Sequence, residues 1–346
     1  MINKFIVDVP VEVQIWIRPE LQKKQFEIIR QAKPSILFIC SDGGRNEEEW
    51  EKIRINRKLY DECVDWECKI YRLYEECNNG MYKFGNMIHK YVWANVDRCI
   101  FLEDDQIPSA SYFEFCAQLL EKYKNDERIS FINGVNLQGV TEDCPFDYFF
   151  ARCLLIGGVA MWKRTYKTYN DMSYRNYDYI VSLLKKMTHE NKYSRNISHW
   201  KQIRTYIYND YCFGHEPHTE FFLTFSFFAR HQLAIVPKYN LISYHGVGSD
   251  AVHSTAIKNI PKSTLRLYFN KTYSLKFPLV ENDFVMPNLF YEKFRMDYFA
   301  LNNPIKYYFR NVVKLLLILK NSGVKATINK IKNYFRNKFT LAKIEN

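Results

Sequence analysis

Apolar positions recur with two different periods along the N-terminal part of this chain. VEVQIWI (Val11–Ile17) alternates apolar and polar residues, the pattern of a strand with one face buried. From Pro19 to Arg30 the apolar residues fall at three- and four-residue steps, which predicts an amphipathic helix. SILFIC (Ser35–Cys40) is a continuous apolar run that stops at Ser41-Asp42-Gly43-Gly44, as a strand buried on both faces would. The same reading predicts a helix from about Asn46 to Asp61, a strand at Cys68–Leu73, a helix near Tyr82–Asn95 and a buried strand at Arg98–Leu102. Beyond Pro108, Ser111-x-x-Glu114 has the form of a capping box. The helix behind it presents Phe113, Cys116, Leu119, Leu120 and Tyr123 on one face. Ile129–Ile132 adds one more strand. Alternating helices and continuous apolar strands predict an α/β fold, a mostly parallel sheet covered by helices on both faces.

Composition agrees with a large globular body. Of 346 residues, 47% are apolar and 17% aromatic, enough for a sizeable core and too many for wholesale disorder. No apolar run reaches the length of a membrane span, and MINKFIVDVPVEVQIWIRPE lacks the long apolar region expected of a signal peptide. The nine cysteines form no C-x-x-C pair. Cys40, Cys99 and Cys116 lie in apolar runs, so reduced thiols packed in a core are expected, and with them a cytoplasmic setting.

Charge divides the chain. The net charge is +11, but Pro304–Asn346 carries ten Lys or Arg against Glu345 alone, leaving the first 303 residues at only +2. Within that tail Ile305, Phe309, Val312, Leu316 and Leu319 recur at helical spacing, with Lys306, Arg310, Lys314 and Lys320 roughly opposite. Ser322-Gly323 interrupts the pattern before a second basic stretch containing Ile328, Ile331 and Phe335. A basic amphipathic helical tail over 304–346 suits an anionic membrane surface, and a helix pair docked on the body is the alternative. The near-neutral body, with no nucleic-acid module, argues against nucleic acid as a partner.

The chemistry concentrates where predicted strands end. Glu103-Asp104-Asp105 stacks three acids on neighbouring positions after a buried strand, and like charges persist there only if solvated or offset. Asp42 and Gly43 close the strand before. In open parallel sheets ligands bind beyond the C-terminal ends of the strands, so both segments fall on the expected edge. Oxygen ligands there favour Mn²⁺ or Mg²⁺, ions that take one or two carboxylates together with substrate phosphates. In an extended segment Glu103 and Asp105 would share a face and Asp104 the other.

Several segments, in order, resemble a known family: IRQAKPSILFICSDGGR (29–45), NNGMYKFGNMIHKYVW (78–93), IFLEDDQIPSASYFEFC (100–116), ERISFINGVN (127–136), LLIGGVAMWKRTY (154–166) and TEFFLTFSFFARHQLAIVPKYNLISYHGVGSDAVHST (219–255). The chain is similar to the GT-A-fold nucleotide-diphospho-sugar glycosyltransferases of bacterial surface-polysaccharide clusters. More distantly it resembles Golgi N-acetylglucosaminyltransferases that carry an EDD triplet. The resemblance implies a GT-A (Rossmann-like) domain over 1–303, with a nucleotide-binding half at about 10–136 and an acceptor-side half at about 137–303.

It further implies a metal-dependent hexosyl- or N-acetylhexosaminyl-transferase. The donor would be a nucleotide diphosphate sugar, with UDP-sugar favoured, and the acceptor a glycan or lipid-linked glycan. Such an enzyme would work on the inner face of the cell membrane. On this likeness Asp42, with Gly43 and Gly80, meets the donor nucleotide, Asp104 the ribose and Asp105 the metal, supported by Glu103. Glu220 stands at the catalytic base of an inverting reaction, and His253 closes over the diphosphate or metal. Other readings of the same residues stay open. Asp42 before two glycines suits a turn, Glu220 suits a helix start, His253 a surface, and His245 competes with it as ligand. Trp162 fits either the core or an acceptor platform. A sugar-1-phosphate nucleotidyltransferase, or a non-catalytic glycan- or membrane-binding protein, are the rival functions, though the N-terminal strand carries no Gly-rich phosphate loop.

Overall fold

The structure, a computed structural model, describes residues 4, 6–152, 157–171, 227, 230–247, 257–265, 268–299 and 303–345. These fall into two compact units, one formed from Met1–Met172, His218–His245 and Phe269–Leu289, the other including Gly246–Tyr268 and Phe290–Asn346.

The first unit is built on an eight-stranded sheet. Its strands are β1 (Val7–Ile15), β2 (Pro34–Ser41), β3 (Lys69–Tyr74), β4 (Arg98–Leu102), β6 (Ile129–Asn133), β7 (Tyr148–Ala151), β8 (Val159–Trp162) and β9 (Leu233–Pro237), ordered β3-β2-β1-β4-β8-β6-β9-β7. Short strands β5 (Gln106–Pro108) and β10 (Ile242–Tyr244) form an antiparallel ribbon beside it. The helices are α1 (Pro19–Ala32), α2 (Glu47–Glu62), α3 (Met81–Asn95), α4 (Ser111–Lys122) and α5 (Lys163–Asp171). A mostly parallel sheet flanked by helices is the α/β, Rossmann-like GT-A architecture anticipated above. The continuous apolar strands are buried as that pattern requires: Leu37, Phe38, Ile39 and Cys40 of β2 and Cys99, Ile100 and Leu102 of β4 are fully shielded from solvent.

Three features depart from the sequence reading. Within LLIGGVAMWKRTY, where the family likeness placed an acceptor loop, Val159–Trp162 form β8, which lies antiparallel between β4 and β6 in the middle of the sheet. Trp162 is core rather than platform, buried with its indole N–H donating to the Leu120 carbonyl at 2.9 Å. The capping box does not form. Ser111 is the first helical residue of α4, its hydroxyl receives the Leu275 amide at 3.0 Å, and Glu114 accepts from Gln118 at 2.6 Å. A tertiary partner takes the serine and an i, i+4 neighbour on the same helix takes the glutamate, so neither closes the cap that local spacing predicts.

In the second unit a helix spans Pro304–Glu345, broken at Gly323 (φ 81°), where the Ser322-Gly323 interruption was expected. Ile318 packs inward, and Asn321 donates to the Lys258 carbonyl at 2.7 Å. Ile305, Phe309, Val312, Leu316 and Leu319 nonetheless stay between 43% and 79% exposed. Among the described residues no helix is long and apolar enough to cross a membrane.

One buried group opposes the fold. Glu12, mid-way along β1, has no solvent exposure and neither carboxyl oxygen makes a hydrogen bond. Burial raises its pKa well above the ordinary value, the Cys40 thiol beside it lowers it, and the charge of Glu103 raises it further. The folded state therefore holds this proton more tightly than the unfolded chain. Its contribution to stability is fully present below the ordinary Glu pKa of about 4.3 and is lost as pH rises from there towards the raised folded value. Glu12→Gln should remove that decline. In urea unfolding at pH 5 and pH 8, the variant is expected to gain on the wild type at the higher pH, by up to about 1.4 kcal/mol for each pH unit over which Glu12 titrates. Parallel pH profiles for the two proteins would show that Glu12 does not carry the dependence.

Candidate functional site

β1 lies between β2 and β4 and runs parallel to both, so the loops after these three strands emerge side by side at one edge of the sheet. After β1 comes Arg18, after β2 Asp42 and Gly43, and after β4 the acids Glu103–Asp105. Their adjacency follows from strand order, not from sequence distance.

Asp42 organises the loop after β2. Its carboxylate accepts the backbone amides of Gly43 (3.0 Å), Asn79 (2.9 Å) and Gly80 (3.0 Å), and the side-chain amides of Asn78 (3.3 Å) and Asn79 (3.2 Å). This ties the end of β2 to the start of α3. Gly80 caps that helix at φ 77° and ψ 156°, a conformation open in practice to glycine alone. Gly43 is required for a different reason, since a Cβ there would stand 2.5 Å from the Cys77 carbonyl carbon. Arg57 braces the same edge, donating to the Ser41 hydroxyl at 3.0 Å and the Glu75 carbonyl at 2.7 Å.

The acidic triplet is a turn, not an extended segment. The Gln106 amide donates back to the Glu103 carbonyl at 3.2 Å, so the expected alternation of faces does not arise. Asp104 and Asp105 both approach Arg18: its guanidinium binds Asp104 Oδ1 and lies 4.0 Å from Asp105 Oδ2. Burial pushes the Asp104 carboxyl up to about 6, Arg18 pulls it down, and the neighbouring Asp105 pushes it up again. Asp105 is likewise raised by burial and lowered by Arg18. Asp104 Oδ2 and Asp105 Oδ1 are both buried and unpartnered.

Two glutamines of α1 hold this turn from beneath, and nothing in the sequence pattern marked them. Gln25 Nε2 donates to the carbonyls of Glu103 (2.8 Å) and Gln106 (2.7 Å), while Gln22 Nε2 reaches the Asp104 carbonyl at 3.4 Å. Both glutamines are fully buried at positions three apart on a helix, where apolar residues would be the default. Their burial and their place opposite the turn are set by contacts about eighty positions away, so the local pattern carried no signal for them. From the other side the His245 amide donates to the Asp105 carbonyl at 2.8 Å, and the His245 pKa is lowered by burial and then by Lys24.

The structure thus gathers Asp42, Gly43 and Gly80 around one turn, and Glu103, Asp104 and Asp105 in another, with His245 against the second. Glu220 and His253 lie outside the described residues. Among the described residues no three metal-ligating side chains converge. The unpartnered Asp104 and Asp105 oxygens are the donor type a hard cation takes, one or two carboxylates at a time, with phosphate and water supplying the rest.

No protein-family model and no curated protein matches the chain. Among solved structures it is similar to TarS of S. aureus (12% identity, 59% of this chain and 72% of that one, TM-score 0.34). It is also similar to the mannosyltransferase PcManGT of Pyrobaculum calidifontis in complex with GDP-Man and Mn²⁺ (11% identity, 98% and 85% covered, TM-score 0.38). A third likeness is to a UDP-glucose pyrophosphorylase complexed with UDP-glucose (8% identity, 48% and 80% covered, TM-score 0.28). Likenesses this slight fix neither a family nor a substrate for this chain.

Asp42→Ala would strand three backbone amides at once. Each unpaired, partly buried donor costs about 1–3 kcal/mol, so a non-additive loss of about 2–4 kcal/mol in denaturant unfolding is expected. A loss below about 1 kcal/mol would mean that the 78–80 turn stands without its carboxylate.

Proposed function

We propose that this chain is a metal-dependent glycosyltransferase acting on a nucleotide diphosphate sugar, with a UDP-sugar as preferred donor and a bacterial surface glycan or its lipid-linked precursor as acceptor. The observation that carries this reading is the pair of unpartnered buried oxygens on Asp104 and Asp105, at the ligand-binding edge of a GT-A-like sheet. Adjacent buried carboxylates destabilise the protein unless a cation joins them.

Each residue then has a task. Asp105, with Asp104 beside it, holds Mn²⁺ or Mg²⁺, which when bound offsets charge on the departing diphosphate. Asp42 and Gly43 shape the loop that receives the nucleotide, and Gly80 presents the first amides of α3 beside it. Glu103 supports the turn through its carbonyl, held by Gln25. Glu220, at the position the family likeness gives to the base, removes the acceptor hydroxyl proton as its oxygen bonds to the anomeric carbon and the bond to the diphosphate breaks. One direct displacement inverts that carbon. His253 closes the diphosphate side, with His245 the nearer histidine among the described residues.

The tail belongs to the same reading. Its exposed apolar stripe, bordered by Lys306, Arg310, Lys314 and Lys320, suits the surface of an anionic membrane, where a lipid-linked acceptor would be found. The protein would then lie peripherally on the cytoplasmic face.

Paired substitutions test the chemistry. Asp105→Asn should abolish Mn²⁺-dependent binding of a UDP-sugar while the protein stays folded. Glu220→Gln should keep that binding and reduce transfer by about 10²-fold or more. Undiminished metal-dependent binding by Asp105→Asn would refute the metal site.

The tail is tested on the full chain. Because Phe309 and Leu316 are exposed, Phe309→Glu with Leu316→Glu should leave folding and donor binding unchanged. The same pair should abolish sedimentation with phosphatidylserine-containing liposomes, an association that weakens as salt rises. Wild-type protein that ignores such liposomes at low salt would overturn membrane docking.

A further inference from the structure

The ion that neutralises the acidic turn in this structure is Arg18. It stands between the end of β1 and the start of α1, and among the described residues no other Lys or Arg pairs with Asp104 or Asp105. The three side chains are only 15–18% exposed, so the interaction is little screened by solvent. Both contacts run through Nη1, leaving the other donors of the guanidinium fork for a second anion.

The same charge sits awkwardly beside a divalent cation. An ion on Asp104 Oδ2 and Asp105 Oδ1 would lie within a few ångströms of the guanidinium, and the two would repel. A nucleoside diphosphate changes that balance. It brings several negative charges to the strand edge, and a planar arginine fork matches phosphate oxygens two at a time.

We propose that Arg18 binds the donor diphosphate at this site and, until the donor arrives, serves as counter-ion to Asp104 and Asp105. This rests on the metal-dependent transferase reading and adds to it a specific ligand for the diphosphate. The exchange keeps the buried carboxylates neutralised in both states. In the free protein Arg18 pairs with them; in the complex the metal does, and Arg18 turns to the phosphates. It also makes metal and nucleotide bind together, since the metal alone must compete with Arg18 while metal plus diphosphate need not.

The proposal predicts effects of opposite sign from one substitution. Arg18→Gln should bind Mn²⁺ alone about tenfold more tightly or better, because one positive charge leaves a poorly screened site. The same variant should bind UDP at saturating Mn²⁺ about tenfold more weakly or worse. Arg18→Lys keeps the charge but not the fork, so its Mn²⁺ affinity should match wild type while UDP binding weakens. Free Mn²⁺ can be counted by electron paramagnetic resonance, UDP binding followed by calorimetry, and folding checked by circular dichroism. Wild-type protein that binds UDP no better with Mn²⁺ than without would remove the transferase reading itself. If that dependence is present, unchanged or weaker Mn²⁺ binding by Arg18→Gln, or undiminished UDP binding, overturns the role of Arg18. Should Arg18→Gln fail to fold, Arg18→Lys decides: UDP binding equal to wild type refutes the proposal.

Discussion

Two neighbouring carboxylates buried at the end of β4 are the constraint around which the first unit is arranged. Their mutual repulsion and their burial both favour protonation, and both are visible in the raised pKa of Asp104. A fold that keeps them must supply positive charge close by and hold the backbone firmly. Arg18 does the first. Gln22 and Gln25 do the second, gripping the carbonyls of residues 103, 104 and 106. Arg18 comes from the β1–α1 junction and the two glutamines from the first two turns of α1, so the segment that follows β1 governs the acidic edge. Glu12 lies on the same strand, and the charge of Glu103 contributes to its raised pKa.

The loop after β2 solves the reverse problem. There the backbone supplies donors in excess: the amides of Gly43, Asn79 and Gly80 point at one place. One carboxylate, Asp42, collects them and joins two segments separated by a helix and a strand. The two loops thus differ in electrostatic state. Asp42 accepts hydrogen bonds from three backbone amides and two side-chain amides, whereas Asp104 and Asp105 each retain one oxygen without a partner. Unmet hydrogen-bonding capacity, more than the count of acids, separates the two loops.

The long C-terminal helix follows a separate logic. Its inward residue Ile318 and its bond to the Lys258 carbonyl anchor it within its own unit, yet the stripe with the strongest apolar period faces solvent.

Most of the strand and helix framework was legible in the sequence because burial imposes a period. SILFIC, RCIFL and the helices at Pro19 and Met81 sit within a residue or two of their expected places, and the break at Gly323 falls where the tail pattern is interrupted. Asp42, Gly43 and the acidic triplet could be selected because polar residues that end apolar strands mark the ligand edge of a parallel sheet. The sequence could not reveal what each of them touches. The insertion of β8 between β4 and β6, the transfer of Ser111 from cap to loop partner, and the convergence of Arg18, Gln22 and Gln25 on residues about eighty positions away all depend on chain-distant contacts. Local pattern determined which segments form strands, helices and polar strand ends, since periodicity and turn chemistry act over a few residues. Only the tertiary structure decided which carboxylate is saturated and which is left open, because that depends on donors brought together by strand order.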